Sequence, residues 1–221
     1  MGPGDNLRRI DLSYPLCSNT PKFPDSPSVA IDELERAEDP PSKGRRSLNV
    51  TQFSIMVHTG THMDAPFHFF PDGLTIDRIP LVQCIGPAVI IDLGDCAAGQ
   101  EIDLAQLPGI EVTLRRHPKV ILNTGWAFRW GTPEYFTDHP CLTAASAALL
   151  VDCGVHLVGV DTPSVDRPPF PAHIPLLGNG LVIVENLTNL RDIGVEEFEL
   201  AVLPLSLVGR DGSPVRAIAS V

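Results

Sequence analysis

The chain has no run of basic residues, no C-x-x-C pair and no apolar stretch near the ~18 residues needed to span a membrane. The first absence, joined to a formal net charge of −11, argues against a nucleic-acid partner, because nothing is present to neutralise phosphates. It argues equally against an anionic membrane surface. The lack of a long apolar run excludes a membrane-spanning helix. The five cysteines are widely spaced and odd in number. That fits reduced thiols and a cytoplasmic setting better than a disulfide framework. Arg8 and Arg9 are not followed by an apolar stretch of signal-peptide length, so no secretory leader is expected. No internal repeat is visible, and no linker divides the chain.

What is present reads as a globular protein. A length of 221 residues suits one domain over residues 1–221, long enough to bury a substantial core. Glycine (18) and proline (22) predict many turns. Residues 18–46, rich in Pro, Ser, Asp and Lys, read as a long irregular excursion of the kind that often carries function. Strands are expected at 49–57, 87–93, 119–124, 155–160, 181–185 and 199–208, with a last one near 215–220. Several are continuous apolar runs, such as Ala88-Val-Ile-Ile, which suit strands buried on both faces. The clearest helix is 144–152, with Thr143 as N-cap and Gly154 just past its end. Shorter helices are expected near Asp103 and near Glu196. The fold class is therefore α/β, a strand-rich mixed sheet with few helices.

Chemistry concentrates in His58-Thr-Gly-Thr-His62-Met-Asp64-Ala-Pro-Phe-His68, which holds three of the seven histidines. Histidine and carboxylate together form the usual ligand set for zinc, manganese or iron. A helix would align His58 with His62 but swing Asp64 off that face, and Gly60 and Pro66 disfavour one. A fully extended strand would hold His58 and His62 roughly 13 Å apart, near the limit for sharing an ion. A strand ending near His58 and a turn at Gly60, where glycine can take a positive φ, resolves the conflict. The pattern favours a metal site over a polar turn.

This segment resembles the signature H-x-G-T-H-x-D-x-P-x-H-F of the cyclase-like metal hydrolases, a family that includes bacterial kynurenine formamidase and isatin hydrolase. Asp11-Leu-Ser-Tyr-Pro-Leu is similar to the family's opening D-[IL]-S-x-P-[IL], and Asp161-Thr-Pro-Ser-Val-Asp166 to its G-x-D-T-x-S-x-D segment. His173 and Glu185, the latter opening Glu-Asn-Leu, keep the spacing of the family's distal ligands. The resemblance implies a swivelling β/β/α-type domain. It implies that His58, His62 and Asp64 hold one divalent metal, that Asp64, His173 and Glu185 hold a second, and that His68 is the general acid/base. Two Zn2+ per subunit are implied, with Mn2+ as the alternative, in a homodimer or higher homo-oligomer. The implied substrate is a small-molecule amide, a formamide or cyclic amide whose carbonyl is attacked by metal-activated hydroxide. A lactone hydrolase, a cyclase or dehydratase of a secondary-metabolite pathway, and a non-catalytic metal-binding module are the alternatives.

For the pocket, Thr20-Pro-Lys-Phe23-Pro-Asp resembles a segment that supplies a tryptophan to the substrate in formamidase-like members; here Phe23 stands in its place, and a loop anchor packed on the domain is its equal alternative. Phe67, Phe69 and Phe70 are candidate walls, with at least one expected in the core, and Trp126 and Trp130 could form another wall. Asp161 and Asp166 have two readings, support of the site or contact with substrate, and capping of loop backbone around Pro163; the capping reading is favoured.

Overall fold

The computed structural model describes residues 7–36 and 48–221. Its strands are β1 (Arg9–Asp11), β2 (Ala30–Glu35), β3 (Val50–Ser54), β4 (His62–Asp64), β5 (Ile85–Asp92), β6 (Glu101–Ile102), β7 (Lys119–Asn123), β8 (Cys141–Leu142), β9 (Leu157–Val160), β10 (Val182–Glu185), β11 (Glu197–Pro204) and β12 (Gly212–Ser220). The α-helices among the described residues are α1 (Leu81–Cys84), α2 (Ile110–Arg116), α3 (Pro133–Thr137), α4 (Ala144–Asp152) and α5 (His173–Gly178). None is long and apolar enough to cross a membrane.

Eight strands form one sheet in the order β1-β12-β11-β5-β7-β9-β10-β4, and β4 pairs back onto β12, so the sheet closes like a barrel. The run β5-β7-β9-β10 is parallel, whereas β4, β11 and β12 join it antiparallel. This is the strand-rich mixed sheet with few helices that the apolar runs predict.

Side-chain parity divides the interior in two. Ile121 of β7, Leu157 of β9 and Val182 and Val184 of β10 join one buried cluster with Met63, Leu200 and Ala217. Their neighbours Val120, Leu122, Val158, Val160 and Ile183 point the other way, into a second cluster with Leu114 of α2, Leu150 of α4 and Leu176 of α5. Each strand thus feeds both layers, because successive side chains alternate across the sheet. That is why these segments read as unbroken apolar runs.

The expected helix over 144–152 is α4, capped by Thr143, whose hydroxyl accepts from Ser146 N–H at 3.1 Å. The helix expected near Asp103 is one turn of 3-10 helix over Leu104–Gln106. The helix expected near Glu196 is absent, and the chain there enters β11. Phe198, Leu200 and Val202 are buried while Glu197 and Glu199 are exposed, a period of two that suits a strand. The excursion over 18–46 is not wholly irregular, since β2 pairs antiparallel with β3 in an exposed ribbon outside the barrel. Residues 37–46 of that excursion lie outside the described residues. The expected strand over 49–57 is therefore shorter and ends at Ser54, four residues before His58.

Gly60 has φ +69° and turns the chain between His58 and β4. A Cβ there would sit 2.8 Å from Leu16 Cδ2. Gly60→Ala is expected to destabilise the protein by about 1–3 kcal/mol through the left-handed backbone and the contact. A urea midpoint equal to that of the unaltered protein, at equal m, would refute this.

Candidate metal-binding active site

Strand pairing assembles the site. In β4, Met63 faces the first core, so His62 and Asp64 face the opposite side. In β10, Val182 and Val184 share Met63's side, which turns Glu185 toward His62 and Asp64. The antiparallel register places His62 directly opposite Glu185 and Asp64 opposite Ile183. His173 opens α5 and brings its ring to the same point. His58 reaches it from the turn at Met56–Gly60.

The structure brings all five together. Ligand-type atoms of His58, His62 and Asp64 lie within 4.8 Å of one another, and so do those of Asp64, His173 and Glu185. Asp64 belongs to both groups. Its Oδ1 lies 2.7 Å from His58 Nδ1 and 3.3 Å from His62 Nε2, and its Oδ2 lies 3.6 Å from His173 Nε2. Glu185 lies 3.4 Å from both His62 Nε2 and His173 Nε2. It also accepts the Val165 backbone N–H at 3.0 Å.

Each histidine turns one nitrogen to this cluster and ties the other to an acceptor. His62 Nδ1 meets the Gly60 carbonyl at 2.8 Å, His173 Nδ1 meets Asp166 at 2.6 Å, and His58 Nε2 meets Asp211 at 2.7 Å. This is the outer arrangement that metal-ligating histidines adopt, because it fixes tautomer and ring orientation. Two carboxylates buried side by side with three inward ring nitrogens form a donor set that fits divalent cations.

Neighbouring segments brace the cluster. Tyr14 N–H, in the opening motif, donates to Thr61 Oγ1 at 2.9 Å, and that hydroxyl donates to the Asn186 carbonyl at 2.6 Å. Asn186 Nδ2 donates to the Gly60 carbonyl at 3.0 Å. Asp161 accepts from Thr124 N–H and Oγ1 at 3.0 and 2.6 Å, as a loop organiser should. Asp166 departs from that expectation. One of its oxygens does cap the Ala172 and His173 backbone N–H groups at 2.5 and 2.9 Å, but the other holds the His173 ring.

A cavity of about 650 Å³ opens on the cluster. Its apolar wall includes Phe23, Met56, Phe69, Phe136, Pro168 and Phe170, and His68 stands at its boundary. Phe23 meets Phe136 edge-on at 5.1 Å. Of the other aromatic candidates, only Phe69 lines this space. Phe69 and Phe70 are half-buried and pack at the edge of the second core, while Phe67 also is half-buried rather than in the core. The tryptophan wall is not there. Trp126 is buried, with its indole N–H donated to the Tyr135 carbonyl at 3.0 Å, and Trp130 stacks on Tyr14 at 3.9 Å.

Charge within the cluster is arranged in opposition. Burial pulls His62 down, but Asp64 and Glu185 outweigh it and push the imidazole up to about 10. His173 is raised well above its ordinary value, burial notwithstanding, by Asp166, Asp64 and Glu185. Burial works to raise Asp64, yet the adjacent His58, His62 and His173 hold it well below the usual carboxylate range. The raised histidines and the lowered carboxylate offset one another's charge. Burial lowers His68, and Asp64 only partly offsets this.

A closed mixed barrel carries a buried histidine–carboxylate cluster of metal-ligand type under an aromatic cavity, and comparison with known proteins supplies its class. The model of the family described as "Putative cyclase" matches residues 10–167. A kynurenine formamidase from Bacillus cereus is 34% identical over 215 residues, covering 95% of each chain. One from Geobacillus thermodenitrificans is 37% identical over 213 residues, covering 94% of this chain and 95% of its own. The solved structure of isatin hydrolase A from Ralstonia solanacearum superposes with a TM-score of 0.81 at 25% identity, covering 98% of this chain and 92% of that one. The chain belongs to the cyclase family.

The raised histidines give the metal-free protein a pH signature. The His62 contribution to stability is complete below 6.5, its unfolded value, and is lost as pH rises through about 10. Asp64 acts in the opposite sense, losing its contribution as acid is added. Chelator-treated protein should therefore melt at progressively lower temperature from pH 6.5 to 10. A melting temperature that holds constant or rises across that range would contradict this account.

Proposed function

We propose that the protein is a metal-dependent amide hydrolase of the arylformamidase type. The observation that carries this reading is the aromatic cavity opening directly on the buried cluster, with His68 where the two meet. The family relationship to kynurenine formamidases supports the same chemistry.

In this reading His58, His62 and Asp64 hold one divalent ion, and Asp64, His173 and Glu185 hold another. Zinc is the preferred ion and manganese the alternative, since a mixed nitrogen–oxygen set accepts either. Such ions supply a water of lowered pKa and a positive charge for the developing oxyanion. The aromatic wall, Phe23 included, receives an aryl ring and keeps bulk water from the scissile bond. An aryl formamide or a cyclic aryl amide matches that shape, with the amide carbonyl placed over the cluster.

His68 moves the proton. Its depressed pKa leaves it neutral near pH 7, the form that accepts a proton from the attacking water. The resulting imidazolium returns the proton to the departing amine. Asp211 Oδ2, 3.6 Å from His68 Nδ1, offers that imidazolium a counter-charge.

The odd number and wide spacing of the cysteines favour a cytoplasmic setting. Leu81 and Val82 of α1 and Ile85 at the start of β5 are exposed together, an apolar face of the kind a second copy covers in a homodimer.

The reading is tested with a panel of N-formyl-aryl amines, isatin and aryl lactones at saturating Zn2+. Turnover of the formamides or isatin, abolished by chelation and restored by the metal, is expected. His68→Ala should lower kcat by about 10²–10⁴-fold and leave metal stoichiometry unchanged. Near-normal kcat in that variant would remove His68 from the proton path. Full metal occupancy with no turnover of any panel member would reduce the protein to a metal-binding module.

A further inference from the structure

Asp211 lies 153 positions from His58, yet its Oδ2 is 2.7 Å from His58 Nε2. The backbone brings it there. Asp211 immediately precedes β12, whose first residue Gly212 pairs with Asp64 of β4. The Asp211 carbonyl accepts the Ala65 N–H at 2.9 Å, which fastens the residue beside the histidine segment. Gly212 makes the approach possible, because a Cβ there would lie 2.8 Å from the Met63 carbonyl oxygen and 2.9 Å from His58 Cε1.

The three cluster histidines are not equally supported. His62 is set in a strand and His173 in a helix, and both are almost fully buried. His58 stands on a turn, with a side chain 16% exposed. Its backbone constrains the ring least, so the ring depends most on a side-chain partner. Asp211 is that partner.

We propose that Asp211 is a positioning residue: it accepts the Nε2 proton of His58 and so holds the ring with Nδ1 turned to Asp64. The inference rests on the metal-hydrolase reading above. It adds that Asp211 sets the metal affinity of the half-site made by His58, His62 and Asp64. The other half-site has its own counterpart in Asp166, which holds the His173 ring. Removing a carboxylate of this kind typically weakens metal affinity by about 10–100-fold.

The test compares metal-free wild type, Asp211→Ala and Asp211→Asn, each titrated with Zn2+ against a chromogenic chelator and with Co2+ by visible absorption. Two equivalents should bind to the wild type. In Asp211→Ala one equivalent should bind about 10–100-fold more weakly and lose its Co2+ band, while the other stays within a few-fold. Asp211→Asn keeps an acceptor oxygen in place and should recover most of the affinity. Asp211→Ser, whose hydroxyl is too short to reach His58 Nε2, covers the case in which the alanine variant fails to fold and should show the same loss. Asp211→Ala and Asp211→Asn proteins that bind both equivalents as tightly as a two-ion wild type, with unchanged spectra, overturn the inference alone. A wild type that takes up no metal overturns both the inference and the metal-hydrolase reading beneath it.

Discussion

Asp64 and Glu185 are two carboxylates buried within reach of the same histidine rings, and most of the molecule is organised around keeping them there. Removing two like charges from water is costly unless cations and hydrogen bonds surround them. In the metal-free protein the compensation comes from His58, His62 and His173 and from the Val165 N–H. The same groups form a donor set that could hold a divalent cation. The imidazoles are paired through protons that a divalent ion would displace, and their other nitrogens are already fixed.

The barrel's closure follows the same constraint. β4 is three residues long, yet it carries two cluster residues. It is fixed by β10 on one side and by the start of β12 on the other. β12 can serve because its edge is divided: Gly212–Pro214 pair with β4, and Ile218–Ser220 pair with β1. Met63 anchors β4 in the core between these neighbours, so a register slip by one residue would bury His62 and Asp64 in the apolar core and expel Met63.

The legible part of this design was local. Continuous apolar runs marked β5, β7, β9 and β10, because burial on both faces leaves no polar alternation to confuse. Thr143 and Gly154 marked α4, and the turn at Gly60 followed from the reach of two imidazoles. What was not legible depended on distance along the chain. His173 and Glu185 stood out only through the family resemblance, since an isolated histidine after a proline-rich loop and a carboxylate at a strand end carry no signal alone. A tryptophan beside a glycine after a strand looks like a loop residue, whereas the Trp126 indole N–H finds a buried carbonyl. Asp211 was missed altogether. Its one trace is the following glycine, and an Asp-Gly pair ahead of an alternating strand reads first as an ordinary turn.

Asp166 shows why the two readings of a loop carboxylate need not exclude each other. One oxygen caps the backbone that starts α5, and the other holds the first side chain of that helix. Capping places the helix and, through the same side chain, aims His173. A substitution at Asp166 would therefore disturb fold and site together. Asp211 differs because its backbone carbonyl does the structural work while its carboxylate faces the rings of His58 and His68. The division of labour at Asp211 makes the side chain's contribution to the site separable from its contribution to the barrel, which at Asp166 it is not.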